Sequence, residues 1–236
     1  MLARLALLVT VLVAALSHLP AAPARSSSAG DDDRPLARGA IDLFGEPMAW
    51  RIAQVNTNVT AIADGGAPDP AGFALVERGS AGISGLGFGS RSIGQGEALV
   101  LPDRHSADVA GSPESRLILL LLARDGEKSG RGGLRGDWPL HVGVPFSPPA
   151  GPYDLRLTRI ELAAGERGNL PPSPWPIAVV ATSGGTALRP ADAPPSLLSA
   201  GHATTVAGGA AIEAGRDGAV LHLASLVPQE PPASWA

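Results

Sequence analysis

Hydrophobic residues in this chain come in short runs broken by glycine, proline and polar clusters, and no stretch after the N-terminus keeps a helical period. Residues 73–77 (FALVE), 98–101 (ALVL) and 177–182 (IAVVAT) read as strands of the usual length. Residues 52–63 (IAQVNTNVTAIA) alternate: Ala53, Val55, Thr57, Val59 and Ala61 point one way, and Gln54, Asn56, Asn58 and Thr60 the other. That pattern predicts a half-buried strand. Residues 116–123 (RLILLLLA) are apolar almost throughout, so this strand is covered on both faces, by an arm or a neighbouring domain. In residues 154–162 the apolar phase slips between Leu157 and Ile160, which predicts a bulge. Residues 41–50 read as a short arm. Residues 164–176, Ser183-Gly184-Gly185 and the proline-rich stretch between Leu188 and Leu197-Leu198 read as turns and loops, and residues 228–236 as a frayed tail.

One arrangement occurs twice. In residues 96–123 and again in 201–227, a glycine precedes a short apolar strand, a small-residue turn, a second short strand, a polar turn and a longer apolar strand. Gly201 lies 105 positions after Gly96, and Leu221 lies 104 after Leu117. The same 104 sets Phe73–Val76 against Ile177–Val180, and Asp64-Gly65 matches Ala164-Gly165 at 100. Blocks recurring in order predict two small antiparallel barrels, 41–123 and 154–228, joined by a connector at 124–153. In that connector Trp138, Leu140, Val142, Val144 and Phe146 offer apolar surface with which to drape over a barrel. A single larger β-sandwich, with the repeat fortuitous, is the alternative.

Composition narrows the picture. The 236 residues include 30 Gly and 23 Pro, which disfavours long helices, and only 4% aromatics, so aliphatic side chains must fill the core. A single lysine, Lys128, stands among 18 basic residues, a bias of the kind GC-rich bacterial genomes produce. The net charge of −4 gives no electrostatic footprint for nucleic acid. Arg4, the apolar run 5–16 and the Ala22-Pro23-Ala24 site predict a signal peptide over 1–24, cleaved after Ala24, followed by a polar leader at 25–40. The run of twelve is short for a spanning helix, so the mature protein is expected to be secreted or extracytoplasmic, with no integral membrane domain. There is no cysteine, hence no disulfide, thiolate metal site or cysteine nucleophile.

The stretch GEALVLPDRHS, the loop LAAGERGNLPPSPWPIAVVATSGG and the repeat itself resemble the cupin family, in a two-barrel form, over residues 50–123 and 154–228. The resemblance implies an all-β chain of two tandem cupin-like double-stranded β-helix (jelly-roll) barrels. Metal cupins place two His and a Glu in a first motif and one His in a second. Here the first-motif loops, 66–72 and 169–176, hold no His. In the second motif the His position counts to Ile212 in the second copy and to Ala107 in the first, with His105 nearby but off register. No metal and no cofactor is therefore expected.

Other candidate chemistry is sparse. His105, between Asp103 and Asp108, is a candidate base, because metal-free sugar-epimerising cupins use a His–Asp pair, and a candidate ligand-binding residue; it also fits a solvated turn. Trp175, between Pro174 and Pro176, is a candidate ligand-binding residue that stacks on a sugar or closes a barrel mouth. His222 reads as a structural histidine. The Gly85–Gly89 run is not a phosphate loop, since no helix follows for its amides to open; Leu86 and Phe88 fit one face of a tight strand or hairpin. No G-x-S-x-G or H-E-x-x-H motif is present. The expected function is that of an exported, metal-free cupin-like binding or structural module, its partner a small molecule or a cell-envelope component. The alternative is a metal-independent isomerase or epimerase using His105.

Overall fold

The computed structural model describes residues 35–56, 71–85, 89–102, 107–126, 138–191 and 193–229. Residues 25–34 of the expected leader, Asn58, Leu86 to Phe88 and His105 lie outside them, whereas residues 37–40, expected to belong to the polar leader, open a strand. Among the described residues there is no helix; the strands are β1 (Ala37–Leu43), β2 (Met48–Asn56), β3 (Ala71–Arg78), β4 (Ser80–Gly85), β5 (Gly89–Gly94), β6 (Ala98–Leu101), β7 (Ala107–Gly111), β8 (Arg116–Arg124), β9 (Trp138–Val142), β10 (Gly151–Leu162), β11 (Arg167–Asn169), β12 (Ile177–Arg189), β13 (Ser196–Ser199), β14 (Ala203–Val206) and β15 (Ala211–Pro228). They form a large sheet in the order β1-β10-β15-β12-β13, with β11 on β15 and β14 on β12, a second sheet β6-β3-β8-β2-β9, and a small sheet β5-β4-β7.

Alternation along the strands sorts side chains into three apolar clusters. On β8, Ile118, Leu120 and Leu122 point into a core shared by the two large sheets, where Trp50, Phe73, Leu155, Leu157, Val180 and Leu226 meet them. Leu117, Leu119 and Leu121 point the other way, into a cluster closed by Ile83, Ile93 and Val109. This explains the unbroken apolar run, since each face has its own core. A third cluster, with Leu170, Val179, Leu188, Ile212, Leu221 and Leu223, fills the far face of the largest sheet. Burying a side chain the size of Phe73 contributes about 2–3 kcal/mol.

The strand ladders repeat. Trp50↔Leu122 on β2 and β8 matches Leu155↔Leu226 on β10 and β15. Leu75↔Ala98 matches Val180↔Ala203, and Ala81↔Ile93 matches Thr186↔Leu198. Even the turn hydrogen bonds recur: the Gly96 amide donates to Val76 O at 2.8 Å, and the Gly201 amide to Ala181 O at 2.8 Å. The matched pairs set Phe73 against Ala178, both in the shared core, and not against Ile177, as an offset of 104 required. A slip of one residue along a strand exchanges its two faces, so 105 is the offset that keeps each side chain in its core.

The edge strands are exchanged between the repeats. β1 leads into β2 but pairs with β10, through Gly39↔Leu155 and Ile41↔Tyr153. β9 leads towards β10 but pairs with β2, through Arg51↔Val142. Each arm passes the opposite sheet at a glycine. A Cβ on Gly39 would lie 2.5 Å from Val100 Cγ1, and one on Gly143 2.7 Å from Thr205 Cγ2. Both are closer than carbon atoms pack, so any side chain would push the arm outward. The arm expected at 41–50 is thus β1 and the start of β2.

Several sequence expectations are corrected. β2 is buried on both faces, Ile52 in one core and Val55 in another, because arm, sheet and repeat all converge on it; residues 57–63 lie outside the described residues. β10 has no bulge: its ladder to β15 is unbroken from Tyr153 to Leu162. The phase slip is a hand-over, with Leu157 in the shared core and Leu162 in the third cluster. The turn at Ser183–Gly185 lies inside β12, where two register shifts bend the strand without ending it. The long turn at 164–176 contains β11, whose Gly168 pairs with Ile212. In the connector Leu140 and Phe146 pack on the core, whereas Val142 and Val144 are exposed. The tail is anchored at its start, where the Gln229 amide donates to Pro152 O at 3.1 Å.

Candidate functional site

The second-motif positions lie on matched strands. Leu188↔Ile212 joins β12 and β15, and Ile83↔Val109 joins β4 and β7. The residue matching Ile212 is therefore Val109 and not Ala107. Ile212 is 1% exposed and Val109 3%, each inside an aliphatic cluster. Neither branched alkyl side chain offers a lone pair to a metal. Among the described residues, no group of three His, Asp or Glu side chains is placed to hold an ion. Among the described residues, the two clusters on the far faces of the large sheets are packed with aliphatic side chains.

Trp175 is positioned by its own loop. Ser173 Oγ donates to Trp175 O at 2.8 Å and accepts from its amide at 3.2 Å. The indole packs against the core shared by the two large sheets and stacks on Phe146, with centroids 6.1 Å apart and planes 22° apart. Trp175 Nε1 is buried without a hydrogen-bond partner. Next to it, Trp50 Nε1 donates to Pro176 O at 2.8 Å, so the loop is held by a strand of the other repeat. His141 Nε2 shares a 3.1 Å hydrogen bond with Thr205 Oγ1 across the same seam, and burial lowers its pKa. His105 and Asp103 lie outside the described residues.

Two polar sites went unnoticed in sequence. Asp154 is buried at the junction of β1, β10 and the C-terminal end of β15. Burial of its carboxyl opposes ionisation, but hydrogen bonds from Arg38, Gln229 and Arg156 outweigh that and hold its pKa below the usual range. Arg156 is two residues away, but Gln229 comes through the β10–β15 pairing and Arg38 only through the exchanged arm. The second site is a bulge that each repeat carries. Glu77 is the unpaired residue between Val76↔Leu117 and Arg78↔Arg116. Thr182 takes the same place between Ala181↔Leu221 and Ser183↔Val220. In the first repeat the bulge holds an ion pair, Glu77 with Arg116 at 3.6 Å. In the second it holds Thr182 and His222, whose Oγ1 and Nδ1 are 3.4 Å apart. Bulges of this kind aim a side chain out of ladder register.

With the geometry in place, comparison with solved structures identifies the fold. The oxalate decarboxylase of Lactobacillus farciminis, in its formate complex, superposes with a TM-score of 0.52 at 10% identity, over 80% of this chain and 81% of that one. Bacillus subtilis oxalate decarboxylase OxdC gives 0.51 at 11% identity, over 82% and 74%. The chain has a cupin-like fold. A cupin 2 conserved barrel domain protein from Leptotrichia buccalis is matched over 84% of this chain and 92% of that one, with 14% identity and a TM-score of 0.46. No protein-family model matches the sequence. No curated protein sequence matches it either. The cupin-like fold is all-β and of the jelly-roll type, with no helix among the described residues long and apolar enough to cross a membrane.

Proposed function

We propose that this protein is an exported bicupin, two cupin-like barrels in tandem, that has no metal site and serves as a non-catalytic binding or structural module. The observation that carries this reading is the pair Val109 and Ile212: aliphatic side chains at matched second-motif positions, each sunk in an apolar cluster. A metal-dependent reaction needs ligands that converge on an open coordination position. A small dianion such as oxalate needs cationic or hydrogen-bonding groups, whereas the described residues packed in both far-face clusters are aliphatic. Decarboxylation is therefore not carried over from the structural neighbours. Export rests on the apolar run at 5–16 and the Ala22–Ala24 site. The partner is a small molecule or a cell-envelope component, and no nucleic acid.

The test is elemental analysis of the protein purified without chelators, followed by thermal unfolding with and without added Mn²⁺, Fe²⁺ and Zn²⁺. Far less than one ion per chain and an unchanged melting temperature are expected. A stoichiometric divalent ion that survives dialysis overturns the reading. So does turnover of a sugar nucleotide or keto acid that is lost in His105→Ala.

A further inference from the structure

His222 occupies the position that Ile118 holds in the first repeat: both precede a buried leucine, Leu223 and Leu119, and both lie opposite a shared-core residue of the neighbouring strand, Val180 and Leu75. Ile118 is 1% exposed and His222 3%, so an imidazole fills a site built for an alkyl group. The Thr182 contact accommodates a ring proton on Nδ1. Thr182 Oγ1 donates to Val220 O at 3.5 Å, which leaves its lone pairs to accept from Nδ1–H. Nε2 then carries the free lone pair, and it is buried without a partner. A proton taken up there would form an N–H with no acceptor and a charge with no counter-ion.

The surroundings make that charge worse. Arg159 on β10 lies directly opposite His222 and is the charged group that acts on it; Arg159 in turn pairs with Glu161. On β12 the facing residues are Val180 and Thr182, neither of them titratable. Burial first, then Arg159, pushes the imidazole pKa down to about 4. The folded pKa thus lies below the ordinary value of 6.5. The neutral ring is compatible with the fold at full strength above that value, and stability is lost as the pH falls from there towards the folded pKa.

We infer that His222 is an acid-sensitive latch: its protonation loosens the Thr182 bulge and the β10–β15–β12 centre of the large sheet, while the matching region of the first repeat, built on Ile118, stays closed. For an extracytoplasmic protein this confines the response to acid to one repeat.

Hydrogen exchange of the full chain at pH 7 and pH 5, corrected for intrinsic rates, tests the latch. Protection across 178–182 and 220–224 should fall roughly 20-fold, the ratio that linkage gives for this displacement between pH 7 and pH 5. Protection across 73–77 and 116–120 should change several-fold less. His222→Ile should abolish the difference between the two regions. Should that variant fail to fold, nitrogen-15 NMR of the wild-type histidines decides alone. A His222 ring that stays neutral down to about pH 5 supports the latch. A ring that titrates at its ordinary pKa in the folded protein, or equal loss of protection in both repeats, overturns it.

Discussion

The two repeats share a ladder but bend it differently. In the first, the chain breaks between β3 and β4 and between β7 and β8, giving two separate sheets. In the second, the matching segments are continuous: β12 runs through Ser183 and Gly184, and β15 through Gly215 to Gly218. The sequence differs where the strands differ. Ser112-Pro113-Glu114-Ser115 puts a proline, which has no N–H to give, at the break before β8. The second repeat has Gly-Arg-Asp-Gly there, which can bend while keeping its amides. The same topology thus tolerates either a broken or a bent strand, provided that each face finds its core. Polar content follows the same division. The buried clamp on Asp154 and the imidazole of His222 belong to the second repeat, where the first has Ala49 and Ile118.

The largest expected effect probes the bend. Gly184 has φ +66°, and a Cβ there would lie 2.0 Å from Gly218 O, a backbone atom that cannot step aside. Gly184→Ala should cost at least about 3 kcal/mol, from left-handed strain and the clash together. Its counterpart Gly79 has φ +77°, but the obstacle is the Ser115 side chain at 2.5 Å. Gly79→Ala should cost roughly 2 kcal/mol, because the obstacle is a side chain and not backbone, although turning the Ser115 hydroxyl gives up its hydrogen bonds with Ser80 N and Ser112 Oγ. Denaturant unfolding measures both; equal losses would mean that the continuous strand imposes no constraint of its own.

A smaller effect tests the clamp. Asp154→Asn should lower stability by about 1–2 kcal/mol at neutral pH, a figure reduced because both arginine partners are half exposed. The carboxylate pKa is lowered on folding, so this contribution is present above the ordinary aspartate range and is lost as the pH falls through the folded pKa. Urea midpoints measured against pH should converge for wild type and variant in strong acid. The matching change at Ala49 removes no such interaction, so any acid-dependent difference there would argue against the assignment.

How much of this was legible in the sequence depended on locality. The double burial of β8 and the extent of β6 follow from their apolar runs alone. The aliphatic residue at Ile212 was legible by counting; Val109 was not, because loop lengths vary and only the ladder fixes the match. Gly184 looks like a turn because its conformation is that of one, and only pairing shows the strand continuing. Arm exchange could not be read at all. Nothing in β1 says that its partner is Leu155 to Leu157 and not the strand that follows it. The Asp154 clamp was invisible for the same reason.

The central claim is that two repeats are locked together by exchanged arms. The absence of cysteine makes it directly testable. Arg38 and Arg156 are opposed in the β1–β10 ladder, where Cα atoms lie about 4.5–5.5 Å apart, within disulfide reach. In the double variant Arg38→Cys, Arg156→Cys, mild oxidation of the folded protein should form an intramolecular disulfide quantitatively, seen in the mass of the peptide pair. The control pair Arg38→Cys, Arg51→Cys, which would link the arm to the matching β2 position of its own repeat, should stay reduced. A cross-link in the control and none in the β1–β10 pair would place the arm on the first repeat and contradict the account.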